Sequence, residues 1–432
     1  MDGKSLVAQM KRLREVEKVK DIRQLTHAMF PGTHCPLMGA MLAARGIQDA
    51  YMLVVGTEEC TYYTKVTTMG SSIFGGVDSR CLSVVLDQRD VTFGGAEKIE
   101  KAFAEMMQEF APKAVFLVST CLVEIIGDDI DAIAETLSET YGIHVLPVHT
   151  EHFKTENHIP GVADTIAVCA RMMRECPKGD FVNILGQRLG VFESTELCRI
   201  LSTADVPVGM TLPSGGSVEK IEQAAGAKVN IVVDATALKL AKRMEAQFGI
   251  PYVCFERLAD PDQIQAAYRS LFAHLEQELP VEVEALYQKA VQAVGRAIPK
   301  LKGVRYIYGN TPLPVFPYNA FMVRMGMIPM LIQTAELPRA EDENLRYILG
   351  NSDPYVTKSA NIAPLQYVYD ELRPDLYLGH EFAMRLRKKG ISLVRGDHLS
   401  SMLGYEVTEA VLTELARAAD EARELKKERA EA

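Results

Sequence analysis

Ala114-Val115-Phe116-Leu117-Val118, continued by Ser119-Thr120-Cys121 and then Leu122-Val123-Glu124-Ile125-Ile126-Gly127-Asp128-Asp129, reads as a buried strand, a turn and a helix start. The two aspartates suit the N-cap of a helix that carries Ile130, Ile133 and Leu137 on one face. Cys121 then falls at the carboxyl end of a core strand, where open α/β sheets hold their ligands.

The same pattern recurs on both sides of this stretch. Upstream, Tyr51 to Val55 reads as a strand that runs into Gly56-Thr57-Glu58-Glu59-Cys60, so a second strand ends on a cysteine. Cys35 opens Cys35-Pro36-Leu37-Met38-Gly39-Ala40, a small-residue helix start able to approach a neighbour closely. It follows a charged leader over residues 1 to 30 that Pro31-Gly32 breaks. Thr61 to Val91, with Gly75-Gly76 and Cys81, is expected to be a long polar loop. Downstream, Val145 to Val148 forms another strand, ending at His149.

A second series of strands is read at Val182 to Leu185, Val206 to Leu212, Val229 to Val233 and Tyr252 to Phe255. The turn Pro213-Ser214-Gly215-Gly216-Ser217 offers free N–H groups at a helix start. A long helix from about Val281 to Ile298 separates this series from a third, at Val304 to Tyr308, Ile328 to Gln333, Leu376 to Leu378 and Ile391 to Val394. The expected fold is α/β, with three doubly wound, Rossmann-like parallel-sheet domains. The expected division is an N-terminal domain with the cluster cysteines (1–175), a second ending in the long helix (176–300) and a third with a helical tail (301–432). The tail from Glu409 is expected to be solvated.

At 432 residues the chain is too long for one core, and 48% hydrophobic with 24% charged residues is an ordinary globular balance. A net charge of -10 argues against a sequence-independent nucleic-acid binder. No apolar run reaches the length of a membrane span and no signal-peptide core is seen, so a cytoplasmic protein without membrane or nucleic-acid partners is expected. Eight cysteines without regular close spacing read as reduced thiols. Cys35, Cys60 and Cys121 each lie at the edge of a core element, and thiolates are the soft ligands that iron–sulfur clusters use. Position alone leaves buried, unreactive cysteines as an equal reading. Cys169, Cys176 and Cys198 read as structural and Cys254 as core, while Arg324, Lys239 and Lys242 could reach a central cavity holding an anion.

Local sequence adds to this. Cys35-Pro36-Leu37-Met38-Gly39-Ala40, the Gly56 to Cys60 turn, Asp90-Val91-Thr92-Phe93-Gly94-Gly95 and Ser119 to Ile130 resemble, in order, the component 1 family of nitrogenase and nitrogenase-like reductases. Val182 to Gly186, Thr211 to Ser217, Gly249 to Tyr252, Pro374 to Gly379 and Leu403 to Glu406 extend the resemblance over nearly the whole chain. It implies a subunit that pairs with a homologous one as a homodimer or heterotetramer. It also implies an iron–sulfur cluster, [4Fe-4S] or P-cluster-like, on Cys35, Cys60 and Cys121. It further implies that electrons come from a separate ATP-dependent iron–sulfur reductase; this chain, without a Walker A motif, is not expected to hydrolyse nucleotide itself. The fourth ligand would come from the partner, from Cys81 or from Glu59, and the partner is favoured. A second metallocluster or a tetrapyrrole substrate could occupy the inter-domain cleft. His398 and His380, after the last strands, are the candidate catalytic residues. The expected function is the catalytic component of a nitrogenase-like oxidoreductase. The alternative is a scaffold for nitrogenase-type metallocofactor assembly.

Overall fold

The computed structural model describes residues 2–25, 34–70, 80–155, 157–188, 191–358 and 362–431. Pro31-Gly32 and Gly75-Gly76 lie outside them. Among the described residues β1 spans Lys11–Arg12, and β2 to β5 span Ala50–Gly56, Cys81–Val85, Ala114–Ser119 and His144–His149. The second group, β6 to β9, spans Val182–Gln187, Val208–Pro213, Val229–Val232 and Tyr252–Cys254. The third, β10 to β14, spans Arg305–Tyr308, Ile328–Gln333, Tyr355–Thr357, Leu376–Leu378 and Ser392–Val394.

These strands form three sheets, ordered β3-β2-β4-β5, β7-β6-β8-β9 and β1-β12-β11-β10-β13-β14. All pairings are parallel except that of β1 with β12. The expected architecture of three doubly wound sheets is therefore what the chain adopts. Each sheet is buried on both faces because helices cover the crossovers. In β4, Phe116 and Val118 join one core with Met52, Val54 and Leu146, while Val115 and Leu117 join another with Ile99, Phe103 and Ile130. The first of these cores continues into the second sheet through Leu185, Met210 and Val232. The first two sheets therefore share a core.

Several segments differ from the sequence reading. The leader, expected at helical spacing through Met10, Leu13, Val16 and Val19 and packed on the body or a partner, does pack on the body, but after the helix Gly3–Gln9 it continues as β1, which extends the third sheet, with Leu6 and Met10 in its core beside Leu365 and Val368. The polar stretch after Cys60 contains the helix Glu58–Gly70 and β3, whose β-branched Val84 and Val85 were hidden by the Thr- and Ser-rich composition around them. The tail is one helix, Tyr405–Glu431, and its inner face is not solvated. Ala418, Ala419 and Ala422 continue the stripe of Val411, Leu412 and Leu415 into the third core. Alanines at helical spacing carry little hydrophobic signal yet pack closely.

The helices Pro36–Arg45 and Ile159–Val168 cross at glycines. A Cβ on Gly39 would lie 2.0 Å from the His158 carbonyl oxygen, and one on Gly161 would lie 1.9 Å from that of Pro36. This contact seats the helix that follows Cys35. The turn Pro213 to Ser217 does not present its N–H groups freely. Ser214 N–H donates to Gln187 O (3.0 Å) and Gly216 N–H to Pro213 O (3.3 Å), while Gly216 O accepts from Gln48 N–H (2.9 Å). The turn thereby ties the first two sheets together.

Candidate functional site

In the first sheet the winding reverses between β2 and β4, and at such a switch point the loops part to leave a crevice. Cys60 follows β2 and Cys121 follows β4. Each cysteine also stands at a helix start. Cys35 is the N-cap of Pro36–Arg45, Cys60 lies in the first turn of Glu58–Gly70, and Cys121 is the first residue of Cys121–Ile126. All three are partly buried. Burial pushes the Cys35 thiol up, N–H groups of Met38 and Leu37 act against it, and charge on Cys60 and Cys121 raises it further. Cys35 thus lies within electrostatic reach of both other thiols, at the end of the first sheet where β2 and β4 finish.

The crevice is lined by polar groups. The Cys60 N–H donates to the Thr57 hydroxyl (3.4 Å), and His152 N–H donates to Cys121 Sγ (3.3 Å). His34 Nδ1 lies 2.7 Å from the Tyr63 hydroxyl. Thr120 Oγ1 and His158 Nδ1 are buried without a hydrogen-bond partner. Burial, with Arg188 and His34 nearby, lowers His158 to about 4, so its ring is neutral. On the β5 side, His149 Nδ1 meets Glu124 at 2.7 Å and His149 Nε2 meets Asp131 at 2.9 Å.

The other switch points hold different groups. In the second sheet Arg188 follows β6, Asp234 follows β8, and the two pair at 2.8 Å. Arg257 is buried nearby, donating to Val233 O (3.1 Å), Ser400 O (2.9 Å) and Gln187 Oε1 (3.3 Å). Burial, then Asp234 and Glu336, pushes Glu256 up to about 7. In the third sheet His380 follows β13 and pairs with Asp397 at 3.0 Å, while His398 lies 3.6 Å from Glu414. Each histidine has a carboxylate of its own.

Other expected residues fall elsewhere. Arg324 is engaged with Asp260 and lies over the Tyr347 ring, Lys239 pairs with Asp164 and Lys242 is exposed. Arg188 and Arg257 are cations at strand ends of the second sheet instead. Sequence reading missed them because neither stands in a charged run. Cys254, expected in the core, is exposed, because β9 ends there. Cys169 is buried, Cys198 lies in the helix Glu196–Thr203, and Cys176 lies outside any helix with its Sγ 3.4 Å from Gln223 O.

The donor set at the first crevice suits an iron–sulfur cluster. Three thiols from separate segments at one end of the first sheet offer the soft donors that iron–sulfur clusters use. Cys81 pairs with Met52, upstream of Gly56, which puts it roughly 13 Å down the strand at about 3.3 Å per residue. Glu59 is exposed, and the Thr57 hydroxyl followed by its own N–H holds its carboxyl below the usual range.

Known proteins share this fold and much of this sequence pattern. The model of the family described as nitrogenase component 1 type oxidoreductase matches residues 35–420. The nitrogenase iron-molybdenum cofactor biosynthesis protein NifE of Clostridium pasteurianum is 35% identical over 222 residues, 51% of this chain and 49% of that protein. The chain thus spans about half the length of that relative. NifE of Nostoc sp. is 25% identical over 354 residues, covering 80% of this chain and 73% of the other. The nitrogenase molybdenum-iron protein alpha chain of Methanosarcina barkeri is 28% identical over 217 residues, 48% of this chain and 41% of that one. The solved structure of nitrogenase Cp1 at pH 6.5 superposes with a TM-score of 0.77 at 17% identity, over 91% of this chain and 93% of that one, which speaks to the fold alone. With the family model spanning nearly the whole chain and the same winding in a solved member, this protein belongs to the nitrogenase component 1 type oxidoreductases.

Proposed function

We propose that the chain is a scaffold subunit for assembly of a nitrogenase-type metallocofactor and does not itself reduce a small substrate. The observation that carries this is the match along 80% of the chain to a protein named for cofactor biosynthesis. In this reading Cys35, Cys60 and Cys121 hold an iron–sulfur cluster, which supplies a one-electron store when bound. The chain's own part is to present three thiolates at helix starts and to shield them on one side with the shared core. A homologous subunit completes the ligand set. Ile125, four residues after Cys121, and Phe153, next to the His152 whose N–H donates to Cys121 Sγ, are 69% and 58% exposed and would be covered by such a partner. An ATP-dependent iron–sulfur reductase is the expected electron donor and the cytoplasm the expected compartment. The proposed units remain 1–175, 176–300 and 301–432, with the leader seated on the third.

The alternative, a catalytic component, draws on the match to a molybdenum-iron alpha chain. Anaerobically isolated protein separates the two. The scaffold reading expects iron and sulfide with a cluster spectrum, transfer of a cluster to metal-free acceptor protein, and no reduction of dinitrogen, acetylene or a tetrapyrrole with reductase and ATP. Sustained turnover without transfer would overturn it in favour of the alternative. Absence of iron would overturn both.

A further inference from the structure

A second set of donors lies on the β5 side of the crevice. Glu124 comes from the helix Cys121–Ile126, one turn beyond Cys121. His149 is the last residue of β5, and Glu151 follows in the loop before the 3-10 turn His152–Lys154. One ligand atom from each lies within 4.8 Å of the other two, and all three residues are partly buried. The carboxylates of Glu124 and Glu151 face each other within that distance. Two facing carboxylates need a proton or a cation between them.

The surroundings orient the set. Ser119 Oγ donates to Glu124. Lys154 Nζ donates to Glu151 at 2.6 Å. Asp131, held by Arg171 at 2.9 Å, faces His149 Nε2 at 2.9 Å. Both His149 ring nitrogens carry N–H groups that donate to carboxylates, Nδ1 to Glu124 at 2.7 Å and Nε2 to Asp131 at 2.9 Å, and loss of the Nδ1 proton would turn that lone pair to an incoming ion while Asp131 still holds Nε2. This is the carboxylate–histidine–metal arrangement that fixes the tautomer of a ligating imidazole.

We propose that Glu124, His149 and Glu151 form a binding site for one divalent first-row ion, Mn²⁺ or Fe²⁺. One nitrogen and two carboxylates suit these ions better than Cu⁺, which favours thiolates, or Mg²⁺ and Ca²⁺, which favour all-oxygen sets. Lys154 leaves Glu151 and a proton leaves the His149–Glu124 contact as the ion enters. The occupied site holds the Glu151–His152 segment, whose His152 N–H donates to Cys121, so the ion braces one wall of the thiol crevice. The site uses none of the thiols and stands or falls independently of the cluster reading.

The test uses the full chain carrying Cys35→Ser, Cys60→Ser and Cys121→Ser, freed of metal and titrated with Mn²⁺ alone while free Mn²⁺ is followed by electron paramagnetic resonance. One Mn²⁺ per chain is expected, with nitrogen hyperfine coupling from one histidine. Glu151→Gln, which removes only a loop carboxylate, should weaken binding at least tenfold. His149→Asn should abolish the nitrogen coupling. Unchanged affinity in Glu151→Gln, a nitrogen coupling that survives His149→Asn, or no stoichiometric Mn²⁺ would overturn the site. If His149→Asn fails to fold, the Glu151→Gln titration decides alone.

Discussion

The first and second sheets share one winding, β3-β2-β4-β5 against β7-β6-β8-β9, yet their switch points hold opposite chemistry. At the first, the loops after β2 and β4 deliver Cys60 and Cys121 to helix starts, and Cys35 joins them from a third helix. At the second, the equivalent loops deliver Arg188 and Asp234, which pair with each other at 2.8 Å, while Arg257 donates to carbonyl oxygens and lies 3.6 Å from the same Asp234 carboxylate. One crevice keeps soft donors that lack a charged partner of their own, and the other satisfies its charges internally. Topology sets where a crevice opens. Residue type at the strand ends decides whether it waits for a ligand.

The largest expected difference is in iron. Cys121→Ala should bring the iron content of anaerobically isolated protein close to zero, while Arg188→Ala should leave it unchanged within error. Equal loss in both would erase the contrast. The glycines that end the two central strands come next. Gly186 has φ +100, and a Cβ there would meet the backbone nitrogen of Asp234 at 2.9 Å. Gly56 has no such φ, but its Cβ would meet Thr120 Oγ1 at 2.2 Å. Gly186→Ala should cost about 3 kcal/mol in denaturant unfolding, from backbone strain added to overpacking. Gly56→Ala should cost about 2 kcal/mol by overpacking alone, but unlike Gly186→Ala it should also lower iron content.

Glu256 sharpens the comparison through pH. Burial raises its carboxyl from 4.5 to about 7, so the folded protein holds a proton that the unfolded chain releases. Its contribution is neutral below about 4.5 and destabilising above about 7. Glu256→Gln should therefore match the parent near pH 4.5 and be more stable at pH 8, by up to about 3 kcal/mol at 1.36 kcal/mol per unit. A gain of equal size at both pH values would mean that packing, not charge, sets the effect. The smallest effect is expected at Thr57, whose hydroxyl accepts from the Cys60 N–H. Thr57→Ala should cost about 1 kcal/mol, the usual loss of a helix cap, measured by the urea midpoint.

Much of the fold was legible because its signals are local. The run Ala114 to Val118 became β4, Asp129 became the N-cap of Ile130–Tyr141 with its carboxylate accepting from Ala132 N–H, and the helix read at Val281 to Ile298 runs Val281–Leu301. β12, with only Tyr355–Thr357, is too short to show a pattern, and the helix Pro261–Leu275 went unread although Asp260 and Pro261 mark its start.

At the site, the three cysteines could be singled out because each closes or opens a core element in its own segment. Their wall could not. Glu124 and His149 are 25 positions apart, and Arg188 comes from another sheet to face His158. Chain order carries strands, helix faces and family motifs, since these depend on residues a few positions away. Which carboxylate meets which imidazole, and which cation neutralises which acid, follows from strand order and helix crossing. Those arise from burial summed over the whole chain, as at Gly39 and Gly161, where two helices meet at a distance that no side chain allows.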